Sequence, residues 1–237
     1  MAQPVIKFGT DGWRGVIADD FTFANVRTAA GAIAAYIHSR KGSAQEDPAK
    51  GLCIGYDTRF GSKAFAQACA EVVSATGIPV MLANAVTPTP ALSWGVRERG
   101  AAGGIMITSS HNPAEWNGVK YKGWYGGSGQ PAMISAIESW LGKPAPRASQ
   151  PAPITEADFL PTYIKAIEDF ADLDLISKSG MKFCIDSMYG AGGTILADIF
   201  SPLGVATCKF APTPIRSFPA SIPSPSSQIS APSAKPS

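Results

Sequence analysis

From residue 4 to about residue 142, short apolar runs alternate with segments of helical period, and no other feature restricts the fold so strongly. PVIKFG (4–9) reads as a strand that ends in the turn GTDGWRG. FTFANVRTAAGAIAAYIHSRKG (21–42) repeats its apolar residues three and four apart and stops at Gly42, which predicts a helix closed by its glycine. The same reading predicts strands in GLCIGYDT (51–58), IPVMLAN (78–84) and GIMITSS (104–110), and an extended segment in GVKYKGWYG (118–126). It places helices in KAFAQACAEVVSATG (63–77), TPALSWGVRERG (89–100) and PAMISAIESWLG (131–142). Strands separated by helices of this length predict α/β layering on a largely parallel sheet.

The pattern then changes twice. KPAPRASQPAPI (143–154) is rich in Pro and Ala without periodicity and reads as a linker. A second α/β unit follows, with a helix in EADFLPTYIKAIEDF, a strand in MKFCIDSMYG, a helix in AGGTILADIFSPLG and a strand in VATCKF. From Ala211 to Ser237 the chain holds seven prolines, eight serines and no acidic residue, so this segment is expected to be disordered. It reads either as a natural low-complexity tail or as the product of a shifted reading frame.

Composition narrows the function classes. The 237 residues are 45% hydrophobic and 16% charged, with a net charge of only +2, which argues against nucleic-acid or membrane-surface partners. The four cysteines, Cys53, Cys69, Cys184 and Cys208, have no metal-binding or regular spacing and read as buried small hydrophobes. No secretory signal and no apolar run near the roughly 20 residues of a bilayer span is visible, so a cytoplasmic soluble protein is expected.

Three stretches carry candidate chemistry. In TSSHNPAEWNG (108–118), Asn112 is suited to cap a helical turn with Pro113 first and Glu115 third. Ser109, Ser110 and His111 would then precede a helix N-terminus, where free amides favour a phosphate, and Lys120 adds a cation. Ordinary turn chemistry explains the same residues. Ser110 beside His111 is a poor hydrolase pair, because adjacent side chains usually point apart and the G-x-S-x-G elbow is missing. FGTDGWRGVIADDF (8–21) places Arg14 among glycines that allow close approach to an anion, without a nucleotide-binding pattern. GYDTRFGS (55–62) puts Asp57 and Arg59 at the C-terminal end of a strand, where α/β sheets place their sites.

Together FGTDGWRG, GYDTRFGS, TPTPALSW and ITSSHNPAEWNGVKYKGWYGG resemble the α-D-phosphohexomutases, the phosphoglucomutase/phosphomannomutase superfamily. The resemblance covers residues 1–142 as the family's first domain, and MKFCIDSMYGAGG looks like the opening of its second. It implies a three-layer α/β/α domain with a mixed, mostly parallel sheet. The units are then 1–142, a linker at 143–154, an incomplete second domain at 155–210 and the tail at 211–237.

The resemblance implies an intramolecular phosphotransferase of carbohydrate metabolism acting on hexose phosphates. A phosphoserine donates to a hexose 1- or 6-phosphate, and a hexose 1,6-bisphosphate intermediate returns the other phosphoryl group. By motif position the phosphoserine is Ser110, with Ser109 standing where the family commonly has Ala. His111 and Lys120 become proton-transfer candidates, Arg14 a phosphoryl contact, and Thr108, Ser109, Asn112 and Arg59 phosphate-binding positions, with Asp57 and Arg59 in the site wall. The family's Mg²⁺ is held by the phosphoserine and three aspartates of an Asp-Gly-Asp-x-Asp-Arg loop. Neither that loop nor the Gly-Glu-x-Ser-Gly-Gly sugar loop occurs in these 237 residues, and the family's fourth, phosphate-gripping domain is not expected within them. Ser110 alone remains of the metal ligands, so Mg²⁺ binding and turnover by this chain are not expected. Read two bases later with plausible codons, the tail spells a Pro-Glu-Pro segment that the family carries before its metal loop, which favours a broken frame. The alternative to an inactive mutase lineage is a non-catalytic fragment that binds sugar phosphates or pairs with another subunit.

Overall fold

A computed structural model of the chain describes residues 6–9 and 12–209. The elements run β1 (Trp13–Val16), α1 (Phe23–Ser39), β2 (Leu52–Tyr56), α2 (Ser62–Ala75), β3 (Val80–Ala83), α3 (Thr89–Glu98), β4 (Gly103–Ile107), β5 (Trp116–Gly123) and α4 (Pro131–Glu138). They continue with β6 (Ile154–Ala157), α5 (Leu160–Phe170), α6 (Leu173–Lys178), β7 (Phe183–Ile185), α7 (Ile195–Phe200) and β8 (Thr207–Lys209).

Six strands form one sheet in the order β1-β5-β4-β2-β3-β6. Strands β2, β3, β4 and β6 are mutually parallel, while β5 is antiparallel to both β4 and β1. Every residue of β2 (LCIGY) and β4 (GGIMI) is buried, as central parallel strands covered on both faces require. Helices α1 and α2 pack together on one face of the sheet, and α3 covers the other. The Ala-rich middle of α1 offers little side-chain bulk, so the helix sits close and buries Val26 and the unbroken run from Ala29 to Ile37. Thr22 caps α1 by accepting the Asn25 N–H at 3.3 Å. The three-layer α/β/α core with a mixed sheet follows the expected pattern.

Three local expectations are corrected. The first strand is Trp13–Val16, overlapping the end of the stretch read as a turn, and residues 6–8 of the expected strand are irregular. Pairing with β5 decides this, because it buries Trp13 and Gly15. Second, part of the Pro/Ala-rich segment is docked: the Ala148 and Ala152 N–H groups donate to the Ala75 and Ser74 carbonyls, at 3.1 and 2.9 Å. Third, residues 154–157, which include the start of the expected helix at 156–170, add to the first sheet as its edge strand beside β3, and the helix starts only at Leu160. Beyond it, β7 and β8 form a separate two-stranded parallel sheet. The expected tail, 211–237, lies outside the described residues.

Candidate functional site

The serine loop joins β4 to β5 at the C-terminal end of the parallel strands. There the backbone runs out of sheet partners, and its carbonyls turn inward instead. Arg59 collects them. One terminal nitrogen donates to Pro113 O (2.8 Å) and Trp116 O (2.9 Å), and the other to Ser110 O (2.9 Å) and Asn112 O (2.6 Å). Its Nε faces Asp57 Oδ2 at 3.5 Å, and the side chain is only 10% exposed. A planar fork of fixed donors is suited to four converging carbonyls, which an ammonium cannot span. Burial lowers the pKa of Arg59, and the Asp57 carboxylate opposes that shift.

The clamp is itself braced. Asp57 Oδ1 accepts from the Arg59 N–H (3.0 Å) and the Ser62 hydroxyl (2.8 Å). Ser62 Oγ accepts from Asn117 Nδ2 at 2.9 Å, while Asn117 Oδ1 accepts the Gly118 N–H at 2.8 Å. Ser62 and Asn117 are fully buried. Asp57 and Arg59 were legible as a pair in the sequence. Ser62 and Asn117 carry no such signal, because their pairing joins residues 55 positions apart in the chain.

This arrangement fixes the two serines differently. Ser110 has φ of 56°, in the left-handed region that costs a residue with a side chain about 1–3 kcal/mol. Its N–H donates to Thr108 Oγ1 at 3.0 Å, its side chain is exposed, and its Oγ lies 3.3 Å from His111 Nδ1. Ser109 is fully buried, and its Oγ has no hydrogen-bond partner among the described residues. The expectation that Ser110 and His111 point apart is thus corrected, because the positive φ swings the two side chains together.

Other placements also differ from expectation. The helical turn capped by Asn112 does not form: residues 112–116 make only a turn, with the Trp116 N–H donating to Pro113 O at 3.1 Å. Asn112 Oδ1 is buried without a donor among the described residues. No helix N-terminus therefore forms in the loop, and the positive charges near it belong to side chains. Of the positions expected to bind phosphate, Thr108 and Ser109 are buried, Thr108 Oγ1 accepts the Ser110 N–H, and Arg59 donates to the loop carbonyls.

Arg14 and Lys120 supply the cations. Arg14 pairs with Gly118 across the β1–β5 ladder, and a side chain on Gly118 would meet Arg14 Cγ at 3.2 Å. Lys120 is two residues farther along β5, so both project from the same face of the sheet. Lys120 is buried, and its stem runs beneath Gly12: a Cβ there would come within 2.9 Å of Lys120 Cγ. Gly12, at φ 97°, is thus glycine for two reasons.

A divalent metal does not fit these groups. Among the described residues no three His, Cys, Asp or Glu side chains cluster, and Asp57 is committed to Arg59 and Ser62. Mg²⁺ needs several oxygen ligands, and the loop offers the Ser110 oxygen beside cations.

Residues 5–146 match the model for the phosphoglucomutase/phosphomannomutase alpha/beta/alpha domain I. The chain belongs to this family. A phosphoglucosamine mutase of Levilactobacillus brevis is 31% identical over 215 residues, covering 87% of this chain and 46% of that protein. A phosphoglucomutase of Staphylococcus epidermidis is 34% identical over 164 residues, covering 64% of this chain and 30% of the relative. A crystal structure described as that of a phosphomannomutase from Thermus thermophilus superposes with a TM-score of 0.78 at 35% identity, covering 90% of this chain and 47% of the other. The chain spans about half the length of the relatives named phosphoglucosamine mutase that it matches. The relatives are mutases, which places the family's enzymes in the isomerase class. No helix among the described residues is long and apolar enough to cross a membrane.

Proposed function

We propose that this chain carries the phosphoryl-transfer loop of a hexose-phosphate mutase, with Ser110 as the phosphoryl carrier. The observation that supports it is the contrast between the adjacent serines. One hydroxyl is exposed on a strained, clamped turn beside an imidazole, and the other is shut away.

In this reading phosphoserine 110 meets a hexose monophosphate through the sugar's unphosphorylated hydroxyl. The hydroxyl oxygen bonds to phosphorus as the Ser110 Oγ–P bond breaks. His111 takes the hydroxyl proton on an unprotonated ring nitrogen, and the electron pair of the broken bond stays on Ser110 Oγ. The product is a hexose 1,6-bisphosphate, which turns over and returns its other phosphoryl group to Ser110. Arg14 and Lys120 neutralise the charge on the phosphoryl oxygens, which is the main demand of such a transfer. Arg59 positions the loop and does not touch the sugar. Because the described residues do not fit a divalent metal, no step is assigned to one.

Incubation with glucose 1,6-bisphosphate, followed by intact-mass measurement and peptide mapping, tests the reading. One phosphoryl group on Ser110, absent in Ser110→Ala, is expected. A chain that stays unmodified, or that carries the group on Ser109, would overturn it.

A further inference from the structure

A second concavity of about 550 Å³ lies between α3, the end of β5 and α5. Its wall from α3 includes Ser93, Trp94 and Arg97; β5 contributes Lys122, the turn after it Ser128, and α5 contributes Tyr163. The turn sits close to the helix because Gly126 has φ of 82° and no side chain: a Cβ there would stand 2.4 Å from the Ser93 carbonyl oxygen.

The chemistry of this groove is one-sided. Arg97 and Lys122 bring two positive charges, and none of the groove's lining residues is a carboxylate. Lys122 is 94% buried yet reaches the groove, where its Nζ donates to Ser128 Oγ at 3.3 Å. Trp94 adds an indole N–H that is buried without an acceptor among the described residues. Paired cations flanked by hydroxyls complement a phosphate dianion. Trp94 and Tyr163 offer flat apolar surface of the kind that receives the C–H face of a pyranose, and the volume admits such a ligand.

We propose that this groove is a second binding site, separate from the Ser110 loop, for a phosphorylated hexose whose phosphate is held by Arg97 and Lys122. The separation follows from the strand: Lys122 lies six residues beyond Trp116, where the serine loop ends, a run of about 20 Å along β5. A ligand there occupies the groove while another occupies the loop, so the site suits an effector of the enzyme or a waiting substrate.

Backbone-amide NMR titrations of the full chain with glucose 6-phosphate, inorganic phosphate and glucose test this. Saturable shifts at Trp94, Arg97, Gly127 and Ser128 are expected with glucose 6-phosphate, weaker ones with inorganic phosphate, and none with glucose. Arg97→Gln, at an exposed position, is expected to weaken binding at least tenfold with the spectrum otherwise retained. Ser128→Ala is expected to weaken it severalfold, and Ser110→Ala to leave it unchanged. Shifts confined to residues 108–120, equal binding of inorganic phosphate and glucose 6-phosphate, or no effect of Arg97→Gln would each overturn the proposal. Because Ser110→Ala abolishes phosphoryl capture without touching the groove, failure of the mutase reading is distinguishable from failure of this one.

Discussion

At the scale of single residues, the adjacent serines have opposite energetic standing. A buried hydroxyl without a partner costs on the order of 1–3 kcal/mol, because it gives up its bonds to water and receives nothing in return. Ser109 Oγ is in that position among the described residues, and Ser110 Oγ is not. Ser109→Ala should therefore be neutral or stabilising by about 1 kcal/mol in urea denaturation, with phosphoryl capture by Ser110 intact. A loss of stability above that size would mean that Ser109 has a partner after all. Motif position already points to Ser110 in the sequence, but nothing in the residue pattern shows that Ser109 is shut away. Their difference arises from one backbone angle, and no residue pattern encodes that angle independently of the clamp that holds it.

At the scale of elements, the loop is held by a side chain from a different strand end, where capping rules predict local closure. Asn112, Pro113 and Glu115 satisfy every local requirement for a helical turn, yet four carbonyls that such a turn would leave outside are gathered by Arg59. A long-range charged donor outweighs a single cap, since bonds to a charged group contribute roughly twice as much as neutral ones. This explains which parts were legible. The strands β2 to β5 and helices α1 to α4 follow from apolar periodicity, whereas β1, β6 and the loop depend on partners distant in sequence. Arg59→Ala should cost about 2–4 kcal/mol, because it strands the Asp57 carboxylate and the loop carbonyls. Arg59→Lys should recover less than half of that, as an ammonium cannot bond four acceptors in one plane. Both variants should also slow phosphoryl capture on Ser110 at least tenfold while still folded. Wild-type stability in Arg59→Ala, measured by denaturant midpoint, would show that the clamp contributes nothing.

At the scale of the whole molecule, the apolar core ends where the first sheet ends. Its buried cluster runs from Phe8 to Phe159, while α5 and α6 bury no residue and α7 buries only Ala197 and Ile199. A two-stranded sheet with so little covered surface opens far more readily than the six-stranded one. Three cysteines report on this difference: Cys53 in β2 and Cys69 in α2 are fully buried, and Cys184 in β7 is exposed. Burial pushes both core thiols up to about 12 from an ordinary 9.0. At pH 8, therefore, a thiol reagent should modify Cys184 within minutes and reach Cys53 and Cys69 only through global unfolding. The pH dependence follows with a definite sign. Between pH 9 and about 12 the unfolded thiols are deprotonated while the folded ones keep their protons, so the folded state binds more protons. Stability must then fall as pH rises through that window, and the stabilisation from these two groups is complete only below pH 9. Labelling of Cys53 and Cys69 should accelerate with pH beyond the increase that thiolate chemistry gives to exposed Cys184. Equal labelling rates for all three at pH 8 would show that the core opens as one body with β7, and the division of the molecule into a firm sheet and a loose one would be wrong.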